Sequence, residues 1–242
     1  MKNYTLLVGN YGASNIGDDM LLEASKQILN GENLKIMSPL GGDFPIFNSG
    51  FRSFLLKPWN NFLALDAIWK SNRVVFGGGG LLNSDNWRSL VIWGQILFWA
   101  SMMHKNVSLL GQSFSSKPGW LLAFLLRQCR QITVRDSKSS QYLSQANIPH
   151  EKSKDLALEL NQTQIERVMQ ASDITANWHE DEPQDGFILV NLREYRLLDQ
   201  KIYESLIRMI NELDANVVFV AFEQSDVDFF ERYCRHSKMY LK

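Results

Sequence analysis

The feature of this sequence that most constrains its fold is an alternation of short β-prone runs and helical patterns. Each run ends in glycine or small polar residues, and a segment with helical periodicity follows it. Such alternation is typical of a parallel sheet with helices packed on it. The runs are YTLLV (4–8), RVVF (73–76), VSLL (107–110) and ITV (132–134), and helices are expected over 19–29, 87–103, 119–129 and a segment ending near Gln145. We therefore predict an α/β fold, with a Rossmann-like amino-terminal domain over residues 1–165.

A polar, acidic stretch interrupts this alternation. We predict a linker over residues 166–186 and a second Rossmann-like domain over 187–242. The second domain offers two strand candidates, FILVNL (187–192) and VVFVAF (217–222). Two strands with two helices do not close a doubly wound core. We therefore expect the second domain to be incomplete, with its carboxyl-terminal part missing.

Composition and charge exclude several kinds of partner. The 242 residues include 25 basic and 26 acidic side chains, so no global field attracts nucleic acid. Cys129 and Cys234 belong to no CxxC or His-containing motif, which argues against a disulfide framework and a zinc site. The apolar run at the amino terminus is too short for a signal peptide. We expect a cytoplasmic protein without a bound metal.

The segment WRSLVIWGQILFWASMM (87–103) tests whether the chain enters a membrane. A spanning helix needs about 20 apolar residues, and Arg88 and Gln95 interrupt a shorter run here. We interpret the segment as a helix buried inside the domain. A helix lying on a membrane surface is the second interpretation, because GWLLAFLL (119–126) and FLLKPWNNFLALDAIW (54–69) are also rich in large apolar side chains. Peripheral association with the inner face of the membrane therefore stays open.

A glycine-rich loop with two aspartates, VGNYGASNIGDD (8–19), follows the first strand. Gly12 and Gly17 have the spacing of a nucleotide P-loop, but that motif continues with Lys and Ser or Thr, whereas Asp18 and Asp19 follow here. The glycine spacing also fails the dinucleotide fingerprint. Two interpretations remain: the aspartates cap the helix, or one of them accepts a hydrogen bond or a proton from a sugar hydroxyl.

Two further turns carry candidate ligand contacts. GGGG (77–80) brings backbone close to a ligand or, alternatively, allows a tight crossing of strand and helix. Asp85, a few residues on, is a helix cap or a contact. Arg135 follows a strand at the edge where parallel sheets bind ligands, and its guanidinium suits a carboxylate or a phosphate. The alternative is a structural pair of Arg135 with Asp136 or Asp155.

Taken together, these turns resemble the polysaccharide pyruvyl transferase family. The matching elements follow the family's order from end to end of the chain. They are GNYGASNIGDDMLLEA (9–24), FGGGGLLNSD (76–85), VRDSKS (134–139), KDLALEL (154–160), NLRE (191–194) and VVFVAFEQSD (217–226).

The resemblance implies a two-domain architecture like that of the GT-B glycosyltransferases. It implies transfer of pyruvyl from phosphoenolpyruvate to two hydroxyls of a sugar as a cyclic ketal, in exopolysaccharide or cell-wall glycan synthesis. The implied partners are phosphoenolpyruvate and a free or lipid-linked glycan, with no nicotinamide, flavin or obligatory metal as cofactor. The implied catalytic residues are Asp18 and Arg135, of which Arg135 anchors the donor. The implied substrate-binding residues are Gly12, Asn15, Gly17, Gly78, Gly79, Gly80, Gln112, Asp136, Ser139 and Arg193.

The chain departs from the family pattern in two places. Ser113 and Ser115 stand where the family has glycine. The family's later Ser-x-Arg-x-His element, which supplies an Arg and a His toward the donor, has no counterpart, since RHSK (235–238) does not match it. Two alternatives therefore accompany the pyruvyl transferase hypothesis. One is a nucleotide-sugar glycosyltransferase of GT-B type, and the other is a truncated, non-catalytic relative that binds glycan.

Overall fold

The chain divides into two compact units, Met1–Val168 and Met169–Lys242. The structure, a computed structural model, describes residues 4–12, 15–47, 58–83, 87–171, 187–192, 199–220, 224–234 and 239–241.

The first unit is built on a six-stranded sheet in which every pairing is parallel. Its strands are β1 (Thr5–Val8), β2 (Leu34–Met37), β3 (Arg73–Gly79), β4 (Asn106–Gln112), β5 (Gln131–Val134) and β6 (Glu151–Lys152). They lie in the order β2-β1-β3-β4-β5-β6. Four of these strands contain the β-prone runs of the sequence, so the predicted α/β class with a parallel sheet is confirmed.

The strand order creates a topological switch point between β1 and β3. The chain passes from β1 to β2 at one edge of the sheet and then crosses back to β3 on the other side of β1. In open parallel sheets, ligands bind outside the carboxyl ends of the strands at such a point. The glycine-rich loop after β1 and the glycine run that ends β3 both lie there.

Helices cover both faces of this sheet. They are α1 (Ile16–Ile28), α2 (Pro58–Lys70), α3 (Trp87–Met102), α4 (Trp120–Leu126), α5 (Ser137–Gln145) and α6 (Gln162–Ala171), the last of which runs three residues into the second unit. Successive strand side chains point to opposite faces. Leu6 of β1 therefore packs in a core with α2, α3, α4 and α5. Its neighbour Leu7 packs with α1 and a short 3-10 helix, Leu156–Glu159.

The long apolar segment forms α3, but only one side of this helix is buried. Trp93, Ile96 and Leu97 pack against the sheet, whereas Trp99 and Met102 are 36% and 59% exposed. The expectation of a helix inside the domain is therefore wrong for the outer side of α3. The reason is that α3 belongs to a single helical layer on the sheet. Within the described parts of the chain, no helix combines the length and apolarity needed to cross a bilayer.

Two edge strands of the first unit escape the sequence pattern. β2 reads LKIM and carries a lysine, while β6 consists of one glutamate and one lysine. Neither is a clear β-prone run, and each forms because its backbone pairs with a stronger neighbour, β1 or β5.

The second unit contains a three-stranded parallel sheet. Its strands are β7 (Phe187–Val190), β8 (Asn216–Phe219) and β9 (Met239–Leu241), in that order, and its helices are α7 (Gln200–Glu212) and α8 (Gln224–Phe229). The expectation of only two strands in this unit is therefore wrong. β9 has three residues, too few for a periodic signal, and its pairing with β8 decides it. Tyr203, Phe219 and Phe229 form the centre of the core.

The predicted linker begins with helix. α6 runs through residue 171 and buries Val168, so the first six residues assigned to the linker 166–186 are helical. Residues 172–186 lie outside the described residues.

The burial of α3 predicts a contrast between two leucines. Leu97 is fully buried, whereas Leu158 is 75% exposed. Leu97→Ala should lower the free energy of unfolding by about 2–5 kcal/mol, because it removes packed methyl groups and leaves a cavity. Leu158→Ala should change it by at most about 0.5 kcal/mol. Urea denaturation measures both, and equal effects would contradict this packing.

Candidate functional site

The loop after β1 is closed onto the start of α1 by two side chains. Asn15 caps α1, since its side-chain oxygen accepts a hydrogen bond from the backbone N–H of Gly17 at 3.0 Å. Asp19 reaches back, and its Oδ1 accepts from the backbone N–H of Gly12 at 2.9 Å. Both contacts satisfy backbone donors that a helix start or a loop leaves unpaired. Asn15 and Asp19 thus hold the loop in shape.

The adjacent aspartate, Asp18, faces the end of β3. Asn10 Nδ2 donates to Asp18 Oδ2 at 2.9 Å. The other carboxylate oxygen, Oδ1, lies 4.0 Å from the point where a Cβ on Gly79 would stand. Each of the two interpretations of the aspartate pair, a structural role and contact with a substrate, therefore fits one of the two residues. Asp19 maintains the loop, and Asp18 is the one placed at the switch point.

Two glycines of the run at 77–80 make room for α1 and its loop. A Cβ on Gly77 would come within 2.2 Å of the Tyr11 hydroxyl, and one on Gly78 within 2.8 Å of a Leu21 methyl group. Gly78 also has a φ of +73°, which favours glycine. These two residues correspond to the tight strand-to-helix crossing.

Three other glycines named from the sequence also lie against the protein. Gly12, Gly17 and Gly80 would each bring an added Cβ close to neighbouring atoms. Those atoms are Leu40 O at 2.7 Å, Asn15 Oδ1 at 3.2 Å and Asn83 Nδ2 at 2.5 Å, respectively. Packing explains the lack of a side chain at Gly12, which lies against backbone and has a φ of +69°. Gly17 and Gly80 face the ends of asparagine side chains, and contact of all three glycines with substrate stays a prediction.

Gly79 differs from the other glycines of the site. An added Cβ there would meet Leu21 only at 3.7 Å and Asp18 at 4.0 Å. Its φ of +86° still disfavours other residues. Gly79 is therefore the glycine where the backbone is least crowded, directly beside the Asp18 carboxylate.

Tyr11 secures the contact between the loop and β3. Its hydroxyl is buried and donates to the carbonyl of Gly77 at 3.0 Å. Ser38 Oγ donates to the Tyr11 carbonyl at 2.5 Å. Burial raises the pKa of Tyr11, so its hydroxyl remains a proton donor at physiological pH. Sequence reasoning did not single out Tyr11, although an aromatic residue between two glycines was the available signal.

The ends of β3, β4 and β5 are level at this edge of the sheet. Gly79 is in register with Gln112, and Gln112 with Val134. The backbone N–H of Ser113 donates to the Gly79 carbonyl at 2.9 Å. The residue after Val134, Arg135, therefore lies on the same edge as Gly79.

Arg135 is held from two directions. Its Nη1 donates to Asp155 Oδ2 at 2.6 Å, and its Nε donates to Ser113 Oγ at 2.8 Å. The Arg135–Asp155 pair named as an alternative from the sequence is thus present. Neither contact uses Nη2, and the Arg135 side chain is 30% exposed. The guanidinium is therefore oriented by the protein, and among the described residues Nη2 is the nitrogen that makes neither of these contacts.

Ser113 links the arginine to the start of α5. Its Oγ accepts from Arg135 and donates to Asp136 Oδ2 at 2.8 Å. A glycine at this position would lack both contacts. This role was missed from the sequence, where Ser113 was noted only as a departure from the family pattern.

Asp136 and Ser139 have structural contacts. Asp136 caps α5 by accepting from the backbone N–H of Ser139 at 2.7 Å. Ser139 is fully buried, and its hydroxyl accepts from the backbone N–H of Phe114 at 2.7 Å. Burial alone would raise the pKa of Asp136, but hydrogen bonds from Ser139 and Ser113, and the charge of Arg135, outweigh it and lower this pKa. Asp136 is therefore ionised in the folded protein at neutral pH.

Gln112 lies below the surface of the edge. It is fully buried, and its Nε2 donates to the Leu110 carbonyl at 3.3 Å. Among the described residues, its Oε1 has no hydrogen-bond partner. Arg193 and Asp85, also named from the sequence, lie outside the described residues.

The fold places the chain among GT-B-like α/β proteins. It is similar to UDP-N-acetylglucosamine 2-epimerase from Rickettsia bellii, with a TM-score of 0.52 and 11% identity, over 100% of this chain and 68% of that one. It also matches MurG from Acinetobacter baumannii, with a TM-score of 0.45 and 12% identity, over 100% and 65% of the two chains. The chain thus spans about two thirds of the length of these structures.

The sequence profile of the polysaccharide pyruvyl transferase family matches residues 15–240. The chain belongs to this family, as the motifs predict. A comparison with curated proteins found no match.

The contacts of Asp136 predict a pH-dependent contribution to stability. Asp136→Ala should lower the free energy of unfolding by about 0.5–2 kcal/mol at neutral pH, because it removes the cap of α5. A lowered folded-state pKa stabilises the protein above the unfolded-state pKa, and this gain is lost as pH falls through the folded-state value. The difference from the parent chain should therefore shrink below about pH 4.

Asp136→Asn is the matched control, since asparagine also caps helices but carries no charge. It should lose less stability than Asp136→Ala at neutral pH. Urea denaturation across a pH series measures both variants. An Asp136→Ala difference that stays constant down to acid pH would contradict the assignment.

Proposed function

We propose that this chain transfers pyruvyl from phosphoenolpyruvate to a sugar diol, forming a cyclic ketal. Membership in the pyruvyl transferase family supports the reaction class. One structural observation supports the site: an oriented, partly exposed guanidinium and an aspartate lie at the same carboxyl edge of the sheet, on either side of Gly79.

Arg135 is the proposed donor anchor. Phosphoenolpyruvate carries a carboxylate and a phosphate, and a guanidinium binds either group through paired N–H donors. Ser113 and Asp155 fix the orientation of Arg135 before the donor arrives. A donor that engages Nη2 and shares Nη1 with Asp155 would need little rearrangement of the side chain.

Asp18 is the proposed base for the acceptor hydroxyl. It lies beside Gly79, where an added Cβ would meet only Leu21 at 3.7 Å and Asp18 at 4.0 Å. Its hydrogen bond from Asn10 orients one carboxylate oxygen. The other oxygen is the one nearest Gly79, where it would accept a proton from the sugar.

The proposed reaction balances without a further reactant. The methylene carbon of phosphoenolpyruvate gains one proton and becomes a methyl group. Two sugar oxygens form bonds to the central carbon, and the bond from that carbon to the phosphate oxygen breaks. One of the two hydroxyl protons is thereby retained in the methyl group, and the other leaves with inorganic phosphate.

A second candidate is binding of a nucleotide sugar. The similarity to a structure named UDP-N-acetylglucosamine 2-epimerase favours it, while the carboxylates of Asp18 and Asp19 near the switch point oppose a nucleotide's phosphates. Parallel titrations with phosphoenolpyruvate, UDP and a glycan separate these candidates. Binding of UDP alone would favour the glycosyltransferase, and binding of glycan alone would favour a non-catalytic relative.

The acceptor we propose is a free or lipid-linked glycan of exopolysaccharide or cell-wall synthesis, modified on the cytoplasmic side of the membrane.

The donor assignment predicts different effects for two arginines that flank β5. Arg135→Ala should raise the Kd for phosphoenolpyruvate about 10- to 100-fold, because it removes charge-assisted hydrogen bonds. Arg130, at the opposite end of the same strand, is exposed, and Arg130→Ala should leave this Kd unchanged. Isothermal titration calorimetry measures both. Full donor affinity in Arg135→Ala would show that this arginine is not the anchor.

The base assignment predicts different effects for the two adjacent aspartates. Asp18→Asn should lower kcat about 10²- to 10⁴-fold, because an amide does not accept the acceptor's proton. Its effect on donor affinity should be small. Asp19→Asn keeps an oxygen that can accept from Gly12, so kcat should change little. Phosphate release from phosphoenolpyruvate with a panel of glycans measures both, and similar losses in the two variants would contradict the assignment.

A further inference from the structure

One helical layer of the first unit presents an apolar outer surface. Helices α2, α3 and α4 carry eleven of the large apolar side chains that are exposed among the described residues. Six aromatic residues define this surface, which we call the aromatic face: Trp59, Phe62, Trp69, Trp99, Trp120 and Phe124. Trp59 and Trp120 are 73% and 82% exposed.

The apolar residues recur at helical spacing on the solvent side. On α2, Trp59, Phe62 and Trp69 follow one another at intervals of three and seven residues and share one face. The opposite face of α2 is also apolar, since Ala64, Ala67 and Ile68 are buried in the core. A surface helix of a globular protein normally carries polar residues on its outer face. The aromatic face is therefore not explained by packing of the core.

The three helices form one continuous layer. α2 contacts α3, and α3 contacts α4. Lys105 fixes the end of α2, because its Nζ donates to the carbonyls of Trp69 and Ser71 at 2.7 Å each. Contiguous exposed apolar patches of this kind mark interaction sites with proteins or membranes.

Charge around the aromatic face is mostly positive. Outside the strands, residues 58–130 hold Lys70, Arg88, Lys105, Lys117, Arg127 and Arg130 against Asp66 and Asp85, although the whole chain carries a net charge of −1. Arg73 belongs to β3 and pairs with Glu32 at 3.1 Å. Lys117 and Arg127 lie on either side of α4. Asp66, the acidic residue of α2, is paired with Lys70 at 2.6 Å.

The opposite helical layer has the reverse charge. Helices α1 and α6 with the short 3-10 helix contain five acidic and two basic residues. Helices α2, α3 and α4 contain Lys70, Arg88 and Asp66, so the helices on the aromatic side have a small net positive charge and those on the other side a net negative charge. A surface of negative charge would attract one side and repel the other.

We propose that the aromatic face docks on the surface of an anionic lipid bilayer. Tryptophan and phenylalanine insert at the boundary between headgroups and acyl chains, while flanking basic residues bind anionic headgroups. A second copy of the chain fits less well. A symmetric dimer through this face would bring two surfaces of the same net charge together.

This inference does not rest on pyruvyl transfer. It concerns a helical layer on one face of the sheet, whereas the proposed site lies at the carboxyl edge. Docking would bring that edge near a membrane, where a lipid-linked saccharide would be within reach.

Flotation with lipid vesicles tests the proposal. The chain should bind vesicles made of equal parts phosphatidylcholine and phosphatidylglycerol, bind phosphatidylcholine alone more weakly, and dissociate at high salt. The triple variant Trp59→Gln, Trp120→Gln and Phe124→Gln should lower the fraction bound at least about tenfold. The matched control is Leu158→Gln, Ile202→Gln and Met209→Gln, three exposed apolar residues outside the face, and it should bind like the parent chain.

Circular dichroism and thermal melting serve as the control that both triple variants are folded. Equal binding to neutral and anionic vesicles, or equal loss in the two triple variants, would overturn the proposal. Light scattering coupled to size-exclusion chromatography tests the alternative that the aromatic face joins two copies of the chain. A dimer of the parent chain that the aromatic triple variant converts to monomer, without vesicle binding by either, would show that the face joins two copies instead.

Discussion

The close approach of α1 to the end of β3 is the contact on which the rest of the site depends. Glycines at 77 and 78 leave no side chains between the strand and the helix, so the Tyr11 hydroxyl and Leu21 lie directly on the β3 backbone. A larger residue at either position would push α1 and its loop outward. The Asp18 carboxylate would then move away from Gly79, and the switch point between β1 and β3 would lose its polar group.

Hydrogen bonds and an ion pair give the charged side chains at this edge of the sheet different structural roles. Asp19 and Asp136 are used to close a loop and to cap a helix, and Asp155 pairs with the arginine. Ser113 then connects Arg135 to Asp136, so that the guanidinium is fixed by two neighbours at once. A fixed cation binds an anionic ligand without first losing side-chain freedom, which is the physical advantage of preorganisation.

The sheet separates two surfaces with different chemistry. Its carboxyl edge carries the polar site, and its α2–α4 face carries aromatic and basic residues. Both follow from strand order, because the crossover from β2 to β3 sends α1 and the next three helices to opposite sides. The apolar segments stood out in the sequence, yet the interpretation of 87–103 as internal was only half right. A helix in a single layer has one side against the sheet, and its other side is free to serve a different purpose.

The sequence by itself determined the α/β class, most of the central strands and the family, because alternation of runs and glycine motifs are local signals. It also identified the residues that gather at the carboxyl edge, including Asp18, Gly79 and Arg135. Only the tertiary structure decided the edge strands β2, β6 and β9, which depend on pairing with a neighbour. It alone distinguished Asp18 from Asp19 and Gly79 from the packed glycines. These differences arise from contacts between residues distant in the chain, such as Tyr11 with Gly77 and Arg135 with Ser113 and Asp155, and no local pattern encodes them.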